Sequence, residues 1–124
     1  MREAVAAFRR CLQIDPNYNA AHYRLALALF HAGELEEALR HFEQSVMLTP
    51  EYLMAHYHMG IIHERRGDRE AAERAFERSL EHGVGEVSSS FHLATILRQK
   101  GDDAGAERCL RRTREFSATS AAVK

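Results

Sequence analysis

The sequence has 124 residues, of which 28% are charged and 45% are hydrophobic, and its formal net charge is −1. A chain of this length can form one domain with a hydrophobic core, and the composition is that of a soluble globular protein. It has no basic excess of the kind that binds nucleic acid or an anionic membrane, and no apolar run approaches the ~20 residues that span a bilayer. Because the N-terminus carries no apolar signal segment, we expect a cytoplasmic protein.

Apolar residues recur at helical spacing, and glycine or proline interrupts them at short intervals. Pro16 cannot continue a helix, while Gly33, Gly67 and Gly101 can take the left-handed conformation that ends one. We predict seven helices, at residues 2–14, 20–32, 35–48, 53–66, 69–82, 87–100 and 103–116. No segment alternates apolar and polar residues over the length of a strand, so the predicted fold class is all-α.

Two less regular segments are also expected. Gly83 and Gly85 predict a looser turn before the sixth helix than the one at Pro50. The small and polar residues 117–124 predict a flexible tail.

The sequence repeats itself with a period of 34 residues. The stretch from Gly33 to Phe42 returns as Gly67 to Phe76. Alanine and a large apolar residue recur in one register, as Ala4, Ala38, Ala72 and Ala106 and as Phe8, Phe42, Phe76 and Leu110. One helix hairpin cannot bury its apolar face alone, so hairpins that repeat in this way must stack on one another.

This pattern resembles the tetratricopeptide repeat, whose positions 8, 15, 20, 24, 27 and 32 carry a small residue, glycine, alanine, phenylalanine, a small residue and proline. The matching residues are Ala26, Gly33, Ala38, Phe42, Ser45 and Pro50, then Gly60, Gly67, Ala72, Phe76 and Ser79, then Ala94, Gly101, Ala106, Leu110 and Thr113. The resemblance implies a right-handed α-α superhelix of stacked helix hairpins. The expected array is a single domain at 1–116, with a half repeat at 1–18 and repeats at 19–52, 53–86 and 87–116.

Members of that family bind peptides or protein segments in a concave groove lined by the first helix of each hairpin. The resemblance implies that positions 2, 5, 9 and 12 of those helices line the groove here. These residues are Ala20, Tyr23, Leu27, Phe30, Met54, Tyr57, Ile61, Glu64, Ser88, Phe91, Thr95 and Arg98. Most are apolar or aromatic, and an exposed apolar patch usually marks an interaction site.

The expected ligand is therefore an apolar or amphipathic helix, or an extended peptide. Arg24 and Arg98 are candidate anchors for an acidic group on that ligand. The groove lacks the asparagines and lysines with which some family members clamp a C-terminal carboxylate, which argues against that mode. The alternative interpretation is that the groove side chains only pack against one another.

A second hypothesis is that the chain assembles with copies of itself. No helix precedes the first predicted helix to cover it, so part of the face formed by Val5, Phe8 and Leu12 should be open. Exposing each large side chain forgoes about 1.5–3 kcal/mol, which two chains could recover by burying these ends against each other. On this hypothesis the protein is a structural module that forms a homo-oligomer.

The sequence contains none of the motifs of an enzyme: no glycine-rich phosphate loop, no HExxH and no Gly-x-Ser-x-Gly. We predict no catalytic residues and no cofactor. The histidines do not form a metal-site pattern either. His56 and His58 point to different sides of a helix, and His56 and His63 are two turns apart, or ~10 Å, which is too far for one ion.

The histidines are better explained by packing and by pH. His22 and His56 occupy a position where an aromatic ring often stands in this family, so we expect each to fill a slot between helices. Protonation of all eight histidines would move the formal charge from −1 to +7. Assembly or binding should therefore weaken near about pH 5–6.

Overall fold

The structure is a computed structural model and describes residues 2–49, 53–81 and 86–111. Seven helices follow one another in these ranges, and none of the residues described forms a strand. The helices are α1 (Arg2–Ile14), α2 (Asn19–His31), α3 (Leu35–Leu48), α4 (Leu53–Arg65), α5 (Arg69–Leu80), α6 (Glu86–Gln99) and α7, which is described over 103–111. The predicted all-α fold with seven helices is therefore confirmed.

The helix bounds differ little from those predicted. α1 and α3 agree with the prediction, while α2, α4 and α6 shift by a single residue and α5 ends two residues early, at Leu80. The predicted turn at Gly83 and Gly85, the end of α7 and the tail at 117–124 lie outside the described residues. No helix in the described ranges is both long and apolar enough to cross a bilayer.

Each helix packs on the next one along the chain, from α1 on α2 to α5 on α6. Two hydrophobic clusters result, one around Phe42 and one around Phe76, and both rings are 0% exposed. The buried neighbours of Phe42 include Leu25, Leu29 and Ile62, and those of Phe76 include Leu80, Leu93 and Ile96. The 34-residue period of the sequence therefore reappears as a period of the core.

The same turn closes each hairpin. Gly33, Gly67 and Gly101 have φ of +85°, +80° and +87°, in the left-handed region that glycine adopts without a steric penalty. After each glycine, the next residue donates its N–H to a carbonyl five residues earlier, as Asp68 does to His63 at 2.9 Å. This hydrogen-bond pattern is the Schellman motif, which satisfies the free carbonyls at a helix C-terminus and fixes where the following helix starts.

Gly60 on α4 shows why a small residue stands at the eighth position of a repeat. A Cβ atom added at Gly60 would lie 2.7 Å from Cε1 of Phe76 and 2.8 Å from two further atoms of that ring. Carbon atoms pack at about 3.5–4.0 Å, so a methyl group here would overlap the ring. The absence of a side chain at Gly60 lets Phe76 lie directly against the α4 backbone.

We predict that Gly60→Ala lowers the free energy of unfolding by about 1–2 kcal/mol, measured by urea denaturation. Overpacking a core costs about 1–3 kcal/mol, whereas glycine to alanine at an unhindered helix position stabilises by about 1 kcal/mol. The loss of stability should be smaller in a Phe76→Leu background, because the ring that the added methyl group would overlap is then absent. Leucine occupies the same register in the last repeat, at Leu110. A Gly60→Ala protein as stable as the wild type would contradict the close packing.

His22 and His41 form a partly buried polar link between α2, α3 and the turn before α2. His22 Nε2 lies 2.7 Å from the carbonyl oxygen of Pro16, so this nitrogen carries the hydrogen and donates it. His22 Nδ1 lies 3.1 Å from His41 Nδ1, which must then be the donor of that pair. His22 is 8% exposed and His56 is 9% exposed, so both are buried, as expected of rings that fill slots between helices.

The free energy of unfolding should fall as the pH decreases below about 6.5. Burial, reinforced by the neighbouring His22, lowers the pKa of His41, and burial also lowers the pKa of His58 and of His63. In the interval between the ordinary and the lowered pKa, the unfolded chain binds protons that the folded chain does not, so acid favours unfolding.

Urea midpoints measured from pH 7.5 to pH 5.5 check this prediction. His63→Gln should lower the slope of stability against pH, because glutamine does not titrate. A slope that His63→Gln leaves unchanged would show that burial of His63 makes no contribution to the acid sensitivity.

Candidate functional site

The predicted ligand-binding residues lie on one face of α2, α4 and α6, which we call the groove face. On α2, Tyr23, Leu27 and Phe30 are half-buried and pack against the first core cluster. Their neighbours Ala20 and Arg24 are half-buried and exposed, respectively. The apolar side chains on the α2 part of the groove face are therefore partly buried within the chain, and only a part of each is exposed.

The α4 part of the groove face is more open at its start. Met54 is 37% exposed, whereas Tyr57 and Ile61 are half-buried against the second core cluster. Near the end of α4, the guanidinium carbon of Arg65 lies 5.1 Å from the centre of the Phe30 ring on α2. This cation–π contact ties α4 to α2 and leaves a positive group at the edge of the aromatic surface.

The α6 part carries the most exposed aromatic residue of the groove face, Phe91, at 56%. Ser88, Thr95 and Arg98 are also exposed. The Thr95 hydroxyl donates to the Phe91 carbonyl at 2.9 Å. Arg98 lies 3.5 Å from Glu107 on α7, an exposed pair that contributes little to stability.

Two open hollows lie side by side along α6. The larger, of about 420 Å³, is lined by Glu64, Gly67, Arg69, His92, Thr95 and Gln99. The smaller, of about 290 Å³, is lined by Ser88, Phe91, His92 and Thr95. His92 and Thr95 line both, so the two hollows form a continuous depression that runs from the exposed Phe91 to the polar ends of α4 and α6.

Two histidines on the groove face have a role that the sequence analysis missed. The His58 ring stacks on Phe42 with centres 5.4 Å apart and planes at 15°, and the His92 ring stacks on Phe76 at 5.0 Å and 8°. Each histidine therefore covers the core phenylalanine of the preceding repeat. The signal was present in the sequence, since both histidines follow their phenylalanine by 16 residues.

A tyrosine approaches each of these stacks from the side. Tyr23 meets the edge of Phe42 at 5.8 Å, and Tyr57 meets Phe76 at 6.1 Å. Phe91 occupies the same register as these tyrosines, but the residue in the phenylalanine register of its repeat is Leu110. The aromatic packing that half-buries Tyr23 and Tyr57 is therefore not reproduced around Phe91.

His92 also links two repeats through a polar contact. Its Nδ1 lies 2.9 Å from Oε1 of Glu64, so an α6 side chain is bonded to an α4 carboxylate across the groove face. Arg69 lines the same hollow and, in the part of the chain that the structure describes, its guanidinium has no hydrogen bond or ion pair. The polar end of the depression thus offers one uncommitted cation, Arg69, beside a carboxylate that is already in contact with His92.

The residues predicted for self-association lie on α1 and are half-buried. Val5, Phe8 and Leu12 pack against the first core cluster, so most of their apolar surface is used within the chain. Ala4 is exposed, whereas its counterparts in the same register, Ala38, Ala72 and Ala106, are each 0% exposed. The uncovered strip of α1 therefore runs along Ala4, beside the half-buried Phe8.

Comparisons with known proteins agree with the repeat pattern. Two family models described as tetratricopeptide repeats match the chain, one at residues 1–59 and the other at residues 57–121. No curated protein matches the sequence.

Solved structures share the fold. A crystal structure of MamA is similar with a TM-score of 0.88 and 20% identity over 94% of this chain and 68% of that one. MamA 41-end from Desulfovibrio magneticus RS-1 is similar with a TM-score of 0.82 and 23% identity over 95% and 67%. YrrB, described as a tetratricopeptide-repeat protein with an unusual peptide-binding site, has a TM-score of 0.78 and 23% identity. The chain spans only 56% of the YrrB chain, which in turn aligns with 88% of this one.

We predict that His92→Ala lowers the free energy of unfolding by about 1–2 kcal/mol, because it uncovers the Phe76 ring and removes the partner of Glu64. His92→Phe keeps a flat ring over Phe76 and should lose less. Urea denaturation of both variants checks the prediction. Equal losses would show that the stack itself contributes nothing.

Proposed function

Because the chain belongs to the tetratricopeptide repeat family, we propose that it is a protein-interaction module that binds an apolar or amphipathic peptide or helix on its groove face. Repeats of this family are generally non-enzymatic and act by holding another protein. The proposed partner is a segment of a protein, held by apolar contact along α4 and α6.

The observation that carries this proposal is the exposure of Phe91 beside the depression along α6. A phenylalanine that is 56% exposed next to hollows of about 420 and 290 Å³ leaves apolar surface that a ligand side chain could cover. Burying apolar surface contributes about 25 cal/mol per Å², so such a surface favours an apolar occupant. Met54 and the edge of Tyr57 continue this surface on α4.

The similarity to YrrB supports the proposal at the level of the fold. That protein is described by its peptide-binding site, and its structure aligns with 88% of this chain. At 23% identity the likeness carries no residue roles. The residues proposed to bind the ligand are therefore chosen from the geometry of this chain alone.

Peptides selected from a random display library on the wild-type chain provide ligands for the test. Phe91→Ala and Tyr57→Ala should each weaken such a peptide by tenfold or more, because central aromatic residues dominate binding energy. Isothermal titration calorimetry gives the dissociation constants.

Met47→Ala is the matched control, since Met47 is 74% exposed on α3 and outside the groove face. This variant should bind like the wild type. If Phe91→Ala and Tyr57→Ala bind like the wild type as well, the groove face is not the binding surface.

The alternative function is self-assembly through α1, and the exposure of Ala4 favours it. In every later repeat the corresponding alanine is 0% exposed. A second copy of the chain that packs against α1 would cover Ala4 and complete the burial of Phe8. Arg9, which pairs with Glu37 at 2.7 Å, lies on the same helix and remains half-exposed at the edge.

Light scattering over a concentration series tests the alternative. If the wild type is a dimer, Ala4→Arg should convert it to a monomer, because a long charged side chain blocks close packing of helices. Ala6→Arg is the control on the same helix, since its register is occupied by the exposed Arg40, Arg74 and Arg108 in later repeats. A dimer that survives Ala4→Arg, or a wild type that is monomeric throughout, excludes assembly through this face.

A further inference from the structure

One imidazole ring stands at the centre of the aromatic surface of the groove face. His58 stacks on Phe42 from α3 and meets Phe30 at 5.3 Å, Tyr57 at 5.4 Å and Tyr23 at 6.4 Å, each in an edge-to-face arrangement. Its side chain is half-buried, so part of the ring still reaches the surface. The residue therefore places two polar nitrogens in a patch that is otherwise made of apolar rings.

The first of these nitrogens fixes the tautomer of the ring. His58 Nδ1 lies 2.7 Å from the carbonyl oxygen of Met54. A carbonyl oxygen can only accept, so Nδ1 must carry a hydrogen and donate it. In a neutral imidazole the second nitrogen, Nε2, then has no hydrogen and presents a lone pair. Among the residues that the structure describes, no group forms a hydrogen bond with this Nε2.

Burial is the main reason that the pKa of His58 is lowered, the hydrogen bond to Met54 opposes the shift, and His31 adds to it. The ring is therefore neutral at pH 7, and Nε2 is an acceptor there. The packing partner from α3 is the apolar ring of Phe42, and no carboxylate of α3 contributes to the shift of the His58 pKa.

The other titratable groups around this ring are mostly basic side chains. His31 on α2 lies beside Phe30, and the Arg65 guanidinium on α4 lies over the same ring. On the α6 side, His92 approaches Tyr57 at 6.2 Å, and the Glu64 carboxylate is already bonded to His92. Protonation of His58 therefore adds a positive charge where no free carboxylate from the described neighbours can compensate it.

We propose that His58 Nε2 accepts a hydrogen bond from a main-chain N–H of the bound peptide, and that acid releases the peptide by protonating this nitrogen. The donor belongs to a residue whose apolar side chain packs against Tyr23, Phe30 and Tyr57. This inference rests on the proposed function of the groove face and adds to it a recognition element and a pH dependence.

A polar nitrogen that a ligand covers needs a hydrogen-bond partner on that ligand. A ligand that covers the aromatic patch removes water from Nε2, and a covered acceptor without a donor is costly. A free main-chain N–H satisfies it, whereas proline or an N-methylated residue at that place cannot. Protonation turns the acceptor into a donor that faces the ligand N–H, so the same contact becomes unfavourable.

The probe for the test is a 12-residue peptide selected from a random display library on the wild-type chain at pH 7.5. A series of the same peptide is made with one main-chain nitrogen methylated at a time. We expect one member to bind about 5- to 10-fold more weakly than the parent peptide, the effect of one lost hydrogen bond at a desolvated site. The parent should itself bind about tenfold more weakly at pH 5.5 than at pH 7.5.

His58→Phe removes both nitrogens and keeps a ring over Phe42. In this variant, the N-methyl group that weakens binding to the wild type should no longer alter the dissociation constant. The change from pH 7.5 to pH 5.5 should no longer alter it either. His63→Gln is the matched control, because His63 lies on the same helix, has a pKa lowered by burial and lies outside the aromatic patch. It should retain both effects. Circular dichroism at each pH confirms that the variants compared are folded.

The experiments distinguish a failure of the proposed groove-face function from a failure of the inference about His58. If Phe91→Ala and Tyr57→Ala leave binding of the peptide unchanged, the proposed function of the groove face fails. Suppose instead that they weaken binding, but that every N-methyl group has the same effect in His58→Phe as in the wild type. The proposed function of the groove face is then supported, and the inference about His58 is overturned. It is also overturned if the pH dependence persists in His58→Phe, or if the coupled donor proves to be a side chain of the peptide.

Discussion

The structure depends on one contact that recurs with the sequence period: a phenylalanine on the second helix of a hairpin, held between two first helices. Phe76 lies against the α4 backbone at Gly60 on one side and under the His92 ring of α6 on the other. Phe42 has the equivalent position under His58. Each phenylalanine therefore joins its own hairpin to the next, as the stacking of repeats requires.

This arrangement explains why the groove face is both part of the core and part of the surface. The rings that cover Phe42 and Phe76, His58 and His92, come from α4 and α6 and lie on the groove face, which is the proposed binding surface. A change in the ligand-binding residues is thus transmitted to packing between repeats, and a change in packing alters the shape of the groove. Phe91 takes less part in this aromatic packing than Tyr23 and Tyr57, because its repeat has Leu110 in the phenylalanine register.

Much of the fold could be predicted from the sequence because its determinants are local and repeated. The glycines at 33, 67 and 101 adopt positive φ, as their spacing indicated, and helix ends follow within two residues. The degree of exposure on the groove face could not be predicted in the same way. Tyr23, Leu27 and Phe30 pack against the first core cluster, and that depends on how closely neighbouring repeats approach.

The spacing between each phenylalanine and its histidine repeats in the sequence, but the stacking of the two rings could not be predicted from that spacing. A histidine sixteen residues after a phenylalanine has no chemical signature until α3 and α4 are placed side by side. The tautomer of His58 likewise depends on a 2.7 Å contact with the Met54 carbonyl, which is a matter of rotamer and not of sequence. Periodicity therefore identified the positions, while tertiary packing decided which of their atoms make contacts within the chain.

We propose that α4 and α6 form the binding surface of this repeat array. Backbone amide chemical shifts of a ¹⁵N-labelled chain, titrated with a library-selected peptide, would locate that surface. The largest changes are expected around Tyr57 and Phe91, with little change on α1. Changes confined to α1 or to the exposed surfaces of α3 and α5 would contradict this proposal.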